Sequence, residues 1–274
     1  MTAHLVTLAH STPLIREQAE FSALSVQAWG AGADFCHHVF TDDPAAFARL
    51  GSRVDVRAVD RARLENWLGA IGYVHRAKPA VLQELANEFP GEPVLFLDAD
   101  TFATAPIDRL LERVGRDGVV LYEREYNVAQ RNSPMMFRFR RKLARARFRG
   151  APIRLDVDMW NSGVVGLAPA RTSLLEPWLA FLDEVYPVTQ RWVLEQFALS
   201  VLLADGRIAA SPCADLFAHY WWDKPAHLEA ARNLLRGAES VDEILERIRS
   251  RPIVIPRPPA RVREANLLQR LFGW

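Results

Sequence analysis

The stretch VLFLDADTF, residues 94–102, decides how this chain folds. Four apolar residues in succession, followed by a helix opening at Pro106, Ile107 and Asp108, read as a buried strand whose carboxyl end reaches the rim of a sheet. Asp98 and Asp100 then stand at a crevice. In an extended segment, side chains two apart share a side. Both carboxylates can therefore address one point, and that point suits a divalent cation. The competing reading is a strand-to-loop turn with two solvated aspartates.

Outward from this stretch, strands and helices alternate. His4 to Ala9 reads as a strand, and Thr12 to Ala28 has helical spacing with Pro13 in the first turn. Phe35 to Phe40 and Val54 to Val59 read as strands, Pro79 to Phe89 as a helix, Pro106 to Val114 as a helix and Gly118 to Tyr122 as a strand. This rhythm predicts a mostly parallel central sheet flanked by helices, an α/β class whose ligands bind beyond the carboxyl ends of the strands. Further on, a basic helical segment spans 135–148. Trp160 to Leu167 is a strand, Thr172 to Tyr186 and Val193 to Asp205 are helices, and Ile208 to Ser211 is a short strand. Ser240 with Glu243 three residues on marks the start of an amphipathic helix. The composition turns rich in proline and arginine after Arg251. The expected organisation is a catalytic domain over 1–236 and a C-terminal helix and tail over 237–274.

Composition sets bounds. Of 274 residues, 50% are hydrophobic and 24% charged, which is ordinary globular usage with enough chain for a large core. The net charge of +1 argues against a protein that coats nucleic acid, so no nucleic-acid partner is expected. Cys36 and Cys213 are too few for a disulfide framework or a thiolate zinc site, and a reducing cytosol is the default. The N-terminus lacks the pattern of a cleaved signal, and no apolar run approaches the ~20 residues of a membrane span. The expected location is cytoplasmic, with peripheral contact at the inner face of a membrane left open by the basic segments.

Three more elements carry polar groups that fit a common site. Asn161, Ser162 and Gly163 precede an apolar strand in MWNSGVVGL, although the element alone also reads as a glycine turn. Glu195 and Gln196 lie on a helix whose apolar face is complete without them. His219 sits among aromatic residues in DLFAHYWWDKP, with Lys224 close behind. An imidazole is a good ligand for an ion already held by carboxylates, and a lysine can neutralise phosphate oxygens on the same ion.

With these four elements in this order, the chain resembles glycosyltransferases of the GT-A fold, most closely the family-eight type that includes lipopolysaccharide galactosyl- and glucosyltransferases and glycogenin. The matching segments are VLFLDADTF, NSGVVGL, LEQFALS and AHYWWDKP. The resemblance implies that Asp98, Asp100 and His219 hold Mn²⁺ or Mg²⁺ against the diphosphate of a nucleotide-sugar donor, UDP-linked in the favoured case. It implies that Lys224 contacts the diphosphate, that Ala99, Asn161, Ser162 and Gly163 border the donor, and that Gln196 lies beneath the anomeric carbon. Thr7 and Ala9 would face the nucleotide, and Arg76 and Lys78 would approach its base or phosphates. The acceptor would be a saccharide or glycolipid hydroxyl. Transfer with retention is favoured; an inverting mechanism would need a base, for which Glu195, Asp156 and Asp158 are the candidates. Asp100 and Gln196 complete the catalytic expectation. Glu195 stands where the family has aspartate, and the His219-to-Lys224 spacing is one residue shorter than the family's.

Two other readings stand beside this one. A catalytically lapsed domain of the same fold, serving as a binding or membrane-associated scaffold, would tolerate the altered spacing. A sugar-nucleotide pyrophosphorylase is weaker, because such chemistry uses a glycine-rich loop after the first strand and HLVTLAHSTPLIRE contains no glycine. Seven basic residues (Arg138, Arg140, Arg141, Lys142, Arg145, Arg147, Arg149) form a local excess suited to an anionic acceptor or membrane surface, or equally to the solvated face of a helix whose buried stripe is Phe139, Leu143 and Ala146. The arginine-flanked apolar tail 261–274 has the composition of an interfacial helix or, equally, of a tail docked on the domain.

Overall fold

The structure, a computed structural model, describes residues 1–251. In chain order it runs β1 (Ala3–Ala9), α1 (Pro13–Trp29), β2 (Phe35–Thr41), β3 (Asp55–Ala58), α2 (Arg61–Leu68), α3 (Ala77–Glu88), β4 (Val94–Leu97) and β5 (Thr101–Ala103). There follow α4 (Ile107–Asp117), β6 (Val119–Asn127), α5 (Pro134–Leu143), β7 (Arg147–Phe148), β8 (Ala151–Pro152) and β9 (Asp158–Leu167). The order closes with α6 (Leu175–Thr189), α7 (Leu194–Asp205), β10 (Ser211–Pro212), β11 (Phe217–His219), α8 (Lys224–Leu235) and α9 (Val241–Ser250). Helix starts follow local chemistry. Thr12 caps α1 through the Ile15 amide with Pro13 in the first turn, Ser133 caps α5 ahead of Pro134, and Ser240 caps α9 through the Glu243 amide.

The central sheet has seven strands in the order β10-β6-β9-β4-β1-β2-β3. β1 pairs in parallel with β2 and β4, β2 with β3, and β6 with β10, whereas β9 runs antiparallel to both β4 and β6. The sheet is therefore mostly parallel, as the alternation of elements predicts. All four residues of β4 are buried at its centre. Their side chains alternate between two cores: Val94 and Phe96 pack with α3, α6 and α7, while Leu95 and Leu97 pack with α4. Both faces are covered, which is why the strand reads as a continuous apolar run. Truncating Leu95, fully buried, to alanine would cost about 2–5 kcal/mol.

The helix α9, within the C-terminal segment expected over 237–274, packs against α1. Ile244, Leu245 and Ile248 join the same core as Phe21 and Leu24, and an Arg249 guanidinium N–H donates to the Ala28 carbonyl. Through residue 251 the described chain thus shares cores across that boundary. The tail 261–274 lies outside the described residues. Among the described residues, no helix is long and apolar enough to cross a membrane.

Candidate active site

Asp98 and Asp100 converge by a route other than strand alternation. β4 ends at Leu97, and residues 98–100 form a turn closed by the Thr101 amide and hydroxyl on the Asp98 carbonyl (3.0 and 2.7 Å). The Asp98 amide donates to the Gly163 carbonyl on β9 at 2.8 Å, tying the turn to the neighbouring strand. The short antiparallel pair β5–β11 then lays His219 opposite Thr101. His219 Nε2 lies 3.3 Å from Asp100 Oδ1 and 3.9 Å from Asp98 Oδ2. One donor atom from each of the three residues falls within 4.8 Å of the others.

The hydrogen bonds around Asn161 fix which nitrogen of His219 faces the carboxylates. The Gly163 amide, which can only donate, points at Asn161 Oδ1 (2.9 Å), and Asn161 Nδ2 points at the Glu125 carboxylate (3.1 Å). The amide orientation is thereby set. His219 Nδ1, 3.0 Å from the same Oδ1, must carry a hydrogen. In the neutral ring Nε2 is then a bare lone pair turned towards Asp98 and Asp100. This is the support that ligating imidazoles have in metal sites. Gly163 allows the approach: a Cβ there would sit 2.3 Å from His219 Nδ1.

Two lysines balance the carboxylates. Lys78, buried beneath the turn, has three ammonium hydrogens, and its contacts are the Ser162 carbonyl (2.7 Å), Ser162 Oγ (3.1 Å) and Asp98 (3.1 Å). Burial pushes its pKa down, but Asp98 and Glu195 outweigh this and the group stays charged. Lys224, at the first turn of α8, places Nζ 2.7 Å from Asp100 Oδ2. Burial raises the Asp100 pKa, yet a charged His219 ring and Lys224 hold its carboxyl well below the usual range. Glu195 is 4% exposed, accepts from Ser162 Oγ at 2.8 Å, and is pushed up to about 7 by burial, with Lys78 opposing.

These groups line a cavity of about 720 Å³ beyond the carboxyl ends of β1 and β4, the place where open α/β sheets take ligands. Ala99, Asn161, Ser162, Gly163, Glu195 and Gln196 all line it, as do Asp98, Asp100, His219, Lys78 and Lys224. The structure adds Glu125, which the sequence reading missed. Its carboxylate accepts from Asn161 Nδ2 and from Gln196 Nε2 (3.3 Å), and burial raises its pKa against both bonds. The reading stopped the strand at Tyr122, but β6 continues to Asn127 with register shifts against β9. The second shift falls between Arg124 and Tyr126, at Glu125, where a bulge lets the consecutive residues Glu125 and Tyr126 both line the cavity. Regular alternation would have parted them.

Several expected contacts lie elsewhere. Thr7 and Ala9 are fully buried outside the cavity lining, Thr7 bonded to His37 Nε2 and Ala9 packed on the α1 side; the alternate residues Leu8 and His10 face the cavity. The expected phase of β1 is therefore off by one. Arg76 turns away into a two-bond pair with Asp183 and also donates to the Trp67 carbonyl. Lys78 reaches the cavity from below, with its hydrogens engaged by Ser162 and Asp98. Asp156 and Asp158 bond to Asn127, Asp158 also to Arg124, and neither lines the cavity. Of the seven basic residues in 138–149, four bond within the protein: Arg140 to the Val128 and Arg131 carbonyls, Lys142 to the Thr189 carbonyl, Arg147 to the Ala146 carbonyl and Arg149 to Glu176. Arg138, Arg141 and Arg145 are exposed.

No protein-family model matches this chain, and no curated protein sequence does. Among solved structures, mouse xyloside xylosyltransferase 1 in its apo form is similar at 17% identity and a TM-score of 0.48, with 88% of this chain and 96% of that chain covered. At that distance no residue role is transferred, and the functional reading rests on the site itself.

Proposed function

We propose that this protein is a divalent-cation-dependent glycosyltransferase, moving a sugar from a nucleoside-diphosphate donor to a hydroxyl acceptor. The observation that carries the reading is the convergence of Asp98, Asp100 and His219 Nε2 in a cavity at the carboxyl ends of parallel strands. The order of the motifs described above supports it. Two carboxylates and a tautomer-fixed imidazole form a donor set suited to Mn²⁺ or Mg²⁺. Such an ion, when bound, would neutralise charge developing on the diphosphate, an effect of about 4 kcal/mol for a charge pair 4 Å apart at an effective dielectric of 20.

The remaining steps belong to the chain's own groups. Lys78 holds Asp98 in place from beneath. Lys224, whose side chain is 40% exposed, is free to exchange Asp100 for a phosphate oxygen. Gln196 and Glu125, bonded to each other, form the part of the wall assigned to the donor sugar. In the transfer, the anomeric carbon exchanges its bond to the diphosphate oxygen for one to the acceptor oxygen. The acceptor's proton passes to the departing phosphate when the configuration is retained, or to a carboxylate when it is inverted. For the second role Glu195 and Glu125 both line the cavity, whereas Asp156 and Asp158 do not. A UDP-linked donor and a saccharide or glycolipid acceptor are the preferred substrates.

The test is thermal-shift and turnover measurement with UDP-, GDP- and CDP-sugars, with Mn²⁺ and with chelator. A ligand bound to the native state raises stability by RT ln(1 + [L]/Kd). Asp100→Ala is expected to abolish both the cation-dependent shift and transfer while the protein remains folded. Full activity of that variant, or activity indifferent to chelator, sinks the reading. The Lys224–Asp100 pair favours one second reading, a lapsed domain in which lysine replaces the cation. Nucleotide binding indifferent to Mn²⁺, without turnover of any donor, would identify it.

A further inference from the structure

At the opposite end of the strands from the cavity lies a second group of metal-ligating side chains. Cys36 and His38 are two apart on β2 and so share a side, and Asp55 opens β3 in register with His38. Asp55 Oδ2 is 2.8 Å from His38 Nδ1, and Cys36 Sγ is 3.9 Å from the same nitrogen. The three residues present donor atoms within 4.8 Å of one another. We propose that Cys36, His38 and Asp55 bind a thiophilic divalent ion of the Zn²⁺ type, independently of the glycosyl-transfer site.

What lies behind His38 is the strongest support. His38 Nε2 is 2.9 Å from His4 Nδ1, and His4 Nε2 is 2.5 Å from Glu92 Oε2. Phe89 stacks on the His4 ring at 3.6 Å and holds it in this plane. With an ion on His38 Nδ1, the Nε2–H of His38 donates to His4 and the Nε2–H of His4 donates to Glu92. Both rings are then neutral and every ring nitrogen has a partner. Without an ion, the contact between His38 Nδ1 and Asp55 needs one hydrogen more than two neutral rings carry. A carboxylate behind a ligating imidazole, here relayed through a second ring, is the arrangement that orients metal-bound histidine.

The local charge agrees. Arg57 bonds to Asp55 Oδ2 at 2.6 Å, but it is also paired through two bonds with Glu88. Asp55, Glu88 and Glu92 therefore leave the neighbourhood negative before the thiol ionises. The Asp55 side chain is 43% exposed and Cys36 is half-buried, giving an ion its entry. Two cysteines exclude a site made of thiolates alone, whereas one thiolate, one imidazole and one carboxylate with water in fourth place suffice for zinc.

The test uses the full chain, stripped with chelator and titrated with Co²⁺ as a spectroscopic substitute for Zn²⁺. A thiolate-to-cobalt charge-transfer band should develop at one equivalent. It should vanish in Cys36→Ser and persist in Cys213→Ser, whose thiol is fully buried in a separate core. It should also persist in Asp98→Asn/Asp100→Asn, which separates this site from the proposed active site. Glu92→Gln should weaken competing Zn²⁺ about 10–100-fold. Absence of the band from the unmodified protein at saturating Co²⁺, or its survival in Cys36→Ser, overturns the proposal.

Discussion

His219 Nδ1 stands 3.0 Å from Asn161 Oδ1, and this contact determines which ring nitrogen faces Asp98 and Asp100. Replacing Asn161 with leucine removes the acceptor while keeping the bulk, and it frees the ring to place its hydrogen on Nε2. Mn²⁺ affinity measured by calorimetry is expected to fall about 10–100-fold. Nitrogen NMR of the ion-free protein should show the His219 tautomer shifting away from Nδ1–H. Unchanged affinity together with an unchanged tautomer would show that the ring is oriented by something else.

Gly163 is required by close approach alone. Its φ is unexceptional, yet an added Cβ would meet His219 Nδ1 at 2.3 Å and Cε1 at 2.5 Å. Gly163→Ala should destabilise the protein by about 1–3 kcal/mol, the usual range for overpacking, and should weaken Mn²⁺ binding by displacing the ring. Urea unfolding and Mn²⁺ titration on one preparation check both effects. Wild-type values in both would mean that the imidazole moves aside without consequence.

In the proposed site Lys224 would compete with a cation for Asp100, since its Nζ is 2.7 Å from Oδ2. Lys224→Gln should therefore raise affinity for Mn²⁺ alone several-fold and lower affinity for a UDP-sugar in the presence of Mn²⁺. The opposite signs are the diagnostic. A loss in both measurements would place Lys224 in a purely structural role, and a gain in both would remove it from the diphosphate.

Acid sensitivity should trace in part to His37. The ring is buried, with Nε2 bonded to Thr7 Oγ1 at 3.0 Å. Burial first, and His38 second, lower its pKa from 6.5 to about 3. Between those values the unfolded chain binds a proton that the native state refuses. Stability from this group is thus complete above pH 6.5 and lost as pH falls, by about 1.4 kcal/mol per unit. His37→Gln should flatten that slope in urea titrations run at successive pH values. An unaltered slope would assign the acid sensitivity to other groups.

Much of this architecture can be read from residue order. The apolar run of β4 has one explanation, burial on both faces, and its abrupt end in Asp98 places the carboxylates at the sheet rim. β9 and the helix start at Ser240 are equally legible. What escapes is set by register and by tertiary competition. Glu125 lies in EREYN, a polar stretch with no strand signal, and it reaches the cavity only because β6 shifts register against β9. Arg76 and the basic residues of 138–149 carry charge that would suit an anion, but Asp183, backbone carbonyls and Glu176 claim several of them, and no local pattern announces those partners. Resemblance alone assigns Thr7 and Ala9 to the nucleotide, and it is their neighbours Leu8 and His10 that line the cavity.

The pairing of β5 with β11 joins the residue after the aspartate turn to a segment from the far part of the chain. His219 cannot meet Asp98 and Asp100 until that closure is made, and closing so long a loop carries an entropy cost that only distant contacts offset. The proposed cation site would therefore assemble only once β11 has docked. Nascent chains that end before β11 would already contain both aspartates but lack the third ligand and the lysine that neutralises Asp100. Mn²⁺ affinity would then serve as a clock for synthesis and refolding, reporting the moment at which β11 docks.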